Sequence, residues 1–166
     1  MFYTVIMRTA ALALIVACAA TGASGQATFN GLVVKAVAEV EVHSMQGGRD
    51  TVKLAPANRV VPGDQVIYTL EIRNTGSTAI HAPSVIQAIP AHMAYVADSA
   101  TGPGAEVSYS ADGGRTFERS ENLRAADSEG NVREVNARDY THIRWQLKNT
   151  LKSNSVAYAR FRAVVK

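Results

Sequence analysis

The chain has a single cysteine, Cys18, among its 166 residues. A disulfide within the chain is therefore excluded, and a folded body built from the remainder is held by its hydrophobic core alone. Aromatic residues are sparse at 7%, with one tryptophan, Trp145. The four histidines, His43, His81, His92 and His142, show no H-E-x-x-H or close H-x-H spacing, and no cysteine joins them, which speaks against a zinc site. No serine has the G-x-S-x-G setting of a nucleophile elbow, and no glycine run matches a phosphate loop or a dinucleotide fingerprint. Beyond residue 25 no segment sustains a 3.6-residue apolar period, so helices are not expected. Acidic residues are absent after Asp139, where Arg144, Lys148, Lys152, Arg160, Arg162 and Lys166 are all basic.

The one long apolar run, residues 9–20, is too short to span a bilayer, which takes about 20 apolar residues. It has the make-up of an export signal instead. Arg8 is the only charge in residues 1–25, and Ala23-Ser24-Gly25 supplies small residues for cleavage before Gln26. Met7 directly precedes Arg8, so Met1 and Met7 are both candidate starts, with the same export reading for either. Cys18 follows Ile15-Val16-Ala17, which resembles the lipobox of bacterial lipoproteins. That resemblance implies a lipidated Cys18 as the mature N-terminus of an outer-membrane form. The plainer reading makes Cys18 a small hydrophobe inside the signal core. Either way the expectation is an exported chain, in the periplasm or at the cell surface, without a transmembrane helix once matured. Residues 26–166 then form one nearly neutral domain. A body of that size buries about two-thirds of its unfolded surface, so one core suffices.

Residues 60–90 organise this body. Pro62-Gly63-Asp64 is turn chemistry: proline pre-sets φ, glycine takes a positive φ, and aspartate accepts a local backbone hydrogen bond. Val66, Tyr68, Leu70 and Ile72 then alternate with Thr69, Glu71 and Arg73, the period-2 signature of a strand with one buried face, with Ile67 as the exception. Asn74-Thr75-Gly76-Ser77 ends the strand, and residues 80–89 resume an extended segment closed by Pro90. Before this unit, residues 26–31 read as a polar lead-in, residues 32–42 as a first alternating strand, Gly47-Gly48 as a turn, and residues 51–61 as an extended piece broken by Pro56, which suits a sheet edge. After it, residues 106–117 read as a hairpin around Ala111-Asp112-Gly113-Gly114. Residues 110–117, SADGGRTF, resemble the Asp-box hairpin motif S-x-D-x-G-x-T-W, with Phe117 in place of tryptophan. Residues 119–138 read as a long polar surface loop with one short strand. Ile143, Trp145 and Leu147 alternate in residues 142–147, as do Ala157, Ala159, Phe161, Ala163 and Val165 in residues 155–165, with residues 148–154 joining the two as a hairpin loop. Roughly 7 to 9 short strands with regular turn signals predict an all-β, immunoglobulin-like antiparallel β-sandwich. Tyr68, Leu70, Ile72, Trp145 and Phe161 are expected in one core by parity.

The combination of PGDQVIYTLEIRNTGS, IPAHMAYVADSA and HIRWQL resembles the bacterial conserved-repeat domain, domain of unknown function eleven, over roughly residues 60–166. Asp98-Ser99-Ala100 departs at its first position from that family's usual GSA-like stop. The resemblance implies an immunoglobulin-like sandwich in the bacterial envelope or on its surface, and it implies no chemistry. Members carry many tandem copies, whereas this chain holds one, so it would act as an adaptor, a secreted factor or a polymerising subunit.

Function is bounded mainly by exclusion. The residues 127–131, Asp127 through Asn131, offer oxygen atoms to calcium but lack the EF-hand spacing, and read as a solvated loop. No cofactor is expected. If Arg144, Lys148, Arg160 and Arg162 share the outer face of a closing hairpin, they form a basic patch for an anionic glycan, a lipid headgroup or an acidic partner; the plainer reading is charge that keeps strand exteriors soluble. Nucleic acid is not expected for an exported chain without interleaved exposed aromatics. The leading expectation is a non-enzymatic structural or interaction module contacting envelope proteins or anionic surface polymer. The alternatives are an adhesive or ligand-binding domain using its end loops or basic hairpin, a strand-exchanging filament subunit donating residues 32–42, and a hydrolase built from His142, Asp139 and a serine. A monomer in which residues 32–42 pair at an edge of its own sheet is favoured over strand exchange.

Overall fold

The computed structural model of the chain describes residues 13–16, 25–126 and 129–166; the alternative starts Met1 and Met7, Cys18, and Asp127 and Ser128 of the calcium candidate lie outside the described residues. The strands are β1 (Ala13–Val16), β2 (Gly25–Phe29), β3 (Leu32–Gln46), β4 (Arg49–Pro56), β5 (Gln65–Asn74), β6 (Ser84–Ala88), β7 (Met93–Tyr95), β8 (Ala105–Ser110), β9 (Arg124–Ala126), β10 (Val132–Glu134), β11 (His142–Leu147) and β12 (Val156–Val165). The protein is all-β, a sandwich of one sheet in the order β1-β6-β11-β8 and a second in the order β2-β3-β5-β12-β7, with β4 added to β3. Every pairing is antiparallel except that of β1 with β6.

Parity decides what each strand buries. Tyr68, Leu70 and Ile72 of β5 stand in register with Phe161, Ala159 and Ala157 of β12, and with Ala38, Ala36 and Val34 of β3 on the other side. Leu70 thus has an alanine on each side and Tyr68 and Ile72 an alanine on one side, which lets the layer interdigitate. Tyr68, Leu70, Ile72, Trp145 and Phe161 all lie in the one buried cluster. The Tyr68 and Phe161 rings stack at 4.8 Å, and Trp145 reaches across from the other sheet to Phe161 at 6.1 Å. Offset and tilted ring pairs at these distances add to the burial of the rings themselves. A second aromatic group, Tyr95, Tyr109 and Tyr140, closes another part of the interior, with the Tyr95 and Tyr109 hydroxyls 3.1 Å apart and Ala100 N–H donating to Tyr95. Burial pushes the Tyr109 hydroxyl well above its ordinary range and raises that of Tyr140.

The Pro62-Gly63-Asp64 turn forms as its residues dictate: Asp64 N–H donates to Val61 O, the Asp64 carboxylate accepts from Val61 N–H at 2.8 Å, and Gly63 sits at φ +97°. Gly63 N–H and Asp64 O also bond to Val165, tying this turn to the end of β12.

Several features differ from expectation. Residues 26–31 form β2 and a tight turn, because Asn30 (φ +44°) and Gly31 (φ +80°) are the pair that a two-residue hairpin with right-handed twist requires. The first strand runs on to Gln46, and Glu39 pairs with both Ile67 and Pro56, so β4 and β5 flank β3 on opposite sides. Residues 32–39 therefore lie inside the sheet rather than at its edge, while residues 40–46 continue with β4 as a two-stranded arm beyond β5. The polar stretch 119–138 contains a two-stranded ribbon, β9 with β10, pinned by buried Leu123 and Val135, where a single strand was expected. Finally, β11 and β12 are not a hairpin. β11 pairs with β6 and β8, β12 with β5 and β7, and the connection crosses from one sheet to the other.

Candidate functional site

That crossover takes the expected basic patch apart. Arg144 belongs to the outer face of the β6-β11-β8 sheet, whereas Arg160 and Arg162 belong to the outer face of the opposite sheet, and Lys148 lies exposed in the segment between them. Each arginine is held locally. Arg144 Nε donates to Ser108 Oγ at 3.0 Å, and its guanidinium lies 4.7 Å over the Phe117 ring. Arg160 Nε donates to Thr69 Oγ1 at 3.2 Å. Arg162 donates to Gln65 Oε1 at 2.7 Å and to Glu41 at 2.9 Å, which holds the Glu41 carboxyl below its usual range. No single cationic face emerges from the four.

Shallow clefts lie on the outer faces, and two of them gather charged side chains. One is lined by Glu41, His43, Arg59, Asp64, Gln65 and Arg162, the other by Glu106, Ser108, Phe117, Arg119, Arg144 and Gln146. Opposite charges inside each cleft pair with one another, Arg162 with Glu41 and Arg119 with Glu106. Trp145 offers no sugar-stacking surface: it is 0% exposed, and its Nε1 donates to Thr101 O.

The residues SADGGRTF close as a hairpin around one carboxylate. Asp112 accepts from Ser110 Oγ, Arg115 N–H, Thr116 N–H and Thr116 Oγ1, at 2.7 to 3.1 Å. Those donors favour the ionised form, so its pKa falls far below the ordinary carboxylate range. A carboxyl with a lowered folded-state pKa contributes stability that is present above its unfolded pKa and is lost as pH falls toward the folded value. Asp112→Asn is accordingly expected to be less stable than the parent at neutral pH, and the difference should shrink below about pH 4. Urea denaturation of both proteins across that range checks it.

The hydrolase alternative turns on His142. Its Nδ1 lies 3.1 Å from Thr141 Oγ1, but that hydroxyl already donates to Ser110 O and accepts from Gly113 N–H. The hydroxyl has one proton, so the contact must be made by His142 Nδ1–H as donor, and the imidazole is not placed to take a proton from it. Burial lowers the His142 pKa. No hydrogen bond joins His142 to Asp139 among the described residues. Among these residues no group of three or more His, Cys, Asp or Glu is assembled as a metal site would need, and no helix is long and apolar enough to cross a membrane.

One surface stands out. On the β3–β4 arm, Val42, Met45, Val52 and Leu54 are 46%, 72%, 52% and 42% exposed. Two glycines, Gly47 at φ +59° and Gly48 at φ +78°, turn the arm at its tip. His43 with Asp50, and Ser44 with Thr51, hold its two strands together laterally. The sequence carried a signal for it in the Gly47-Gly48 turn between two extended segments. No known family model, curated protein or solved structure matches the chain.

Proposed function

We propose that the protein is exported and works as a non-enzymatic structural or interaction module of a bacterial envelope or surface, acting through contacts with other proteins or with surface polymer. The observation that carries this reading is the β3–β4 arm: a two-stranded projection that presents Met45, Val52 and Leu54 to solvent on one face and Val42 on the other. Grouped exposed apolar side chains of this kind mark interaction surfaces more often than chance. The interior supports the same reading, since the charged groups around it are spent on local structural bonds. The alternative of an anionic ligand on a basic closing hairpin loses its support, because Arg144 and Arg162 lie on opposite sheets.

A photo-crosslinker placed at Met45 of the protein in its native envelope should give defined adducts. Joint Val52→Lys and Leu54→Lys substitution should remove those adducts with little change in Tm, since both side chains are exposed. Adducts that persist unchanged in that variant would contradict the arm as the contact surface.

A further inference from the structure

The segment Ala13–Val16, read from sequence as part of an export signal, occupies a structural position. It runs parallel to β6, with Ala13 opposite Ser84 and Val16 opposite Gln87, and forms the outermost strand of its sheet. Cleavage before Cys18 and cleavage after Gly25 would remove it alike. In either mature form β6 becomes an edge strand.

That edge has none of the usual protection. Natural edge strands are shortened, bulged, charged or interrupted by proline so that they do not pair with other chains. The sequence Ser-Val-Ile-Gln-Ala of β6 carries no charge and no proline. With Ala13–Val16 in place, Ser84, Val85, Ile86 and Gln87 are all buried. Three of the other edges differ: β4 carries Arg49, Asp50, Lys53 and Pro56, β7 is three residues long, and β8 carries Glu106 and bridges Glu118 through Tyr109, while β2, Gly-Gln-Ala-Thr-Phe, is uncharged like β6.

A second observation points the same way. Gln87 is 0% exposed and pairs across the sheet with the core residue Ile143, so it lies on the inward face. Its Nε2 donates to Ala88 O, but its Oε1 has no hydrogen-bond partner among the described residues. A buried amide oxygen without a donor has lost its hydration without replacement, which destabilises the state that holds it. Its register partner in β1 is Val16.

We infer that β6 is a strand-acceptor site which removal of the N-terminal segment opens, and that its occupant is β6 of a second copy, paired antiparallel about a two-fold axis at Gln87. Isologous pairing needs only one self-complementary patch, and an uncharged strand edge is one. A two-fold at Gln87 keeps the faces in phase, with Ile86 opposite Ala88 of the second copy, and sets the two Gln87 amides against each other. Each Nε2 can then donate to the orphaned Oε1 of its counterpart. The sheet continues unbroken as β8-β11-β6 of one copy followed by β6-β11-β8 of the other. The unprocessed chain is capped against this association by its own residues 13–16. The inference rests on the export reading for its cellular timing, but not for its test.

The test compares three purified proteins by sedimentation velocity over a range of concentrations: the full chain, the chain beginning at Gln26, and the full chain carrying Leu14→Pro with Ile15→Pro. Among the residues whose burial is described, every member of the hydrophobic core lies at or beyond Ala27, and the shorter chain retains all of these. Adjacent N–H groups of a strand point to opposite sides, so the double proline variant deletes whichever faces β6. The full chain is expected to remain monomeric, while the other two form a dimer that grows no further. Ala88→Lys in the shorter chain should return it to a monomer that still unfolds cooperatively, because it places a lysine on the half-buried outer face of the edge. Gln87→Glu should dimerise at about pH 4 and dissociate at neutral pH, as two facing carboxylates lose their shared proton. A shorter chain that stays monomeric overturns the inference, and so does a dimer that Ala88→Lys leaves intact. A cytosolic, unprocessed protein in cells would sink the export reading while leaving these in vitro outcomes unaffected.

Discussion

Trp145→Ala is expected to lower stability by about 3–5 kcal/mol, the range for deleting a large aromatic side chain from a core. Trp145 is fully buried at the meeting point of the two sheets, 6.1 Å from the Phe161 ring. The packing about it is close enough that a Cβ on Gly102 would stand 2.9 Å from Trp145 Cδ1. The segment around Gly102 is moulded to the indole and cannot collapse into the space without moving Thr101, whose carbonyl accepts from Trp145 Nε1. Against a total folding free energy of about 5–15 kcal/mol, such a loss is large. Denaturant titration measures it, and a loss under about 1 kcal/mol would place Trp145 outside the core that joins the sheets.

The second large effect is expected at a polar residue. Asn74 is 0% exposed at the end of β5. Its Nδ2 donates to Thr78 O at 2.8 Å and to Leu151 O at 3.0 Å, while its Oδ1 accepts from Gly76 N–H at 3.0 Å. Its backbone bonds to Ser155 O and Asn154 N–H, so one residue ties the turn after β5 to the crossover that leads into β12. Asn74→Leu preserves size and removes every side-chain bond. Leu151 O keeps the Ile80 N–H, but Thr78 O and Gly76 N–H lose this partner. Thr78 is exposed and Gly76 half-buried, so water meets part of the demand, and the expected loss is about 1–3 kcal/mol. The same variant should accelerate amide exchange at Gly76, Ile80 and Leu151 ahead of the β5 core. A substitution without cost would mean that this turn holds without its asparagine.

What the sequence could and could not carry follows from the nature of its signals. A period of two states which face a residue takes, and so the burial of Tyr68, Leu70, Ile72, Trp145 and Phe161 was legible from alternation alone. The same signal is silent about partners. Residues 148–154 have a length that suits a hairpin loop, yet they carry the chain across the sandwich, and with that the basic residues part company. Local turn chemistry was legible at Pro62-Gly63-Asp64 and equally present at Asn30-Gly31, where the polar residues before it hid a strand. Gln87 sat unmarked between Ile86 and Ala88, because an uncharged polar residue inside an extended run does not declare which face it takes. The apolar residues 13–16 fit both an export signal and a sheet strand, since each asks only for consecutive apolar side chains.

The most direct test of the central claim, an exported module whose N-terminal segment is removed before it acts, is the intact mass of the protein recovered from its native source, measured fraction by fraction. The account predicts a chain in the envelope or external fraction that begins at Gln26, or at a lipidated Cys18, and in either case lacks residues 13–16. A protein found in the cytosol and starting at Met1 or Met7 would contradict it.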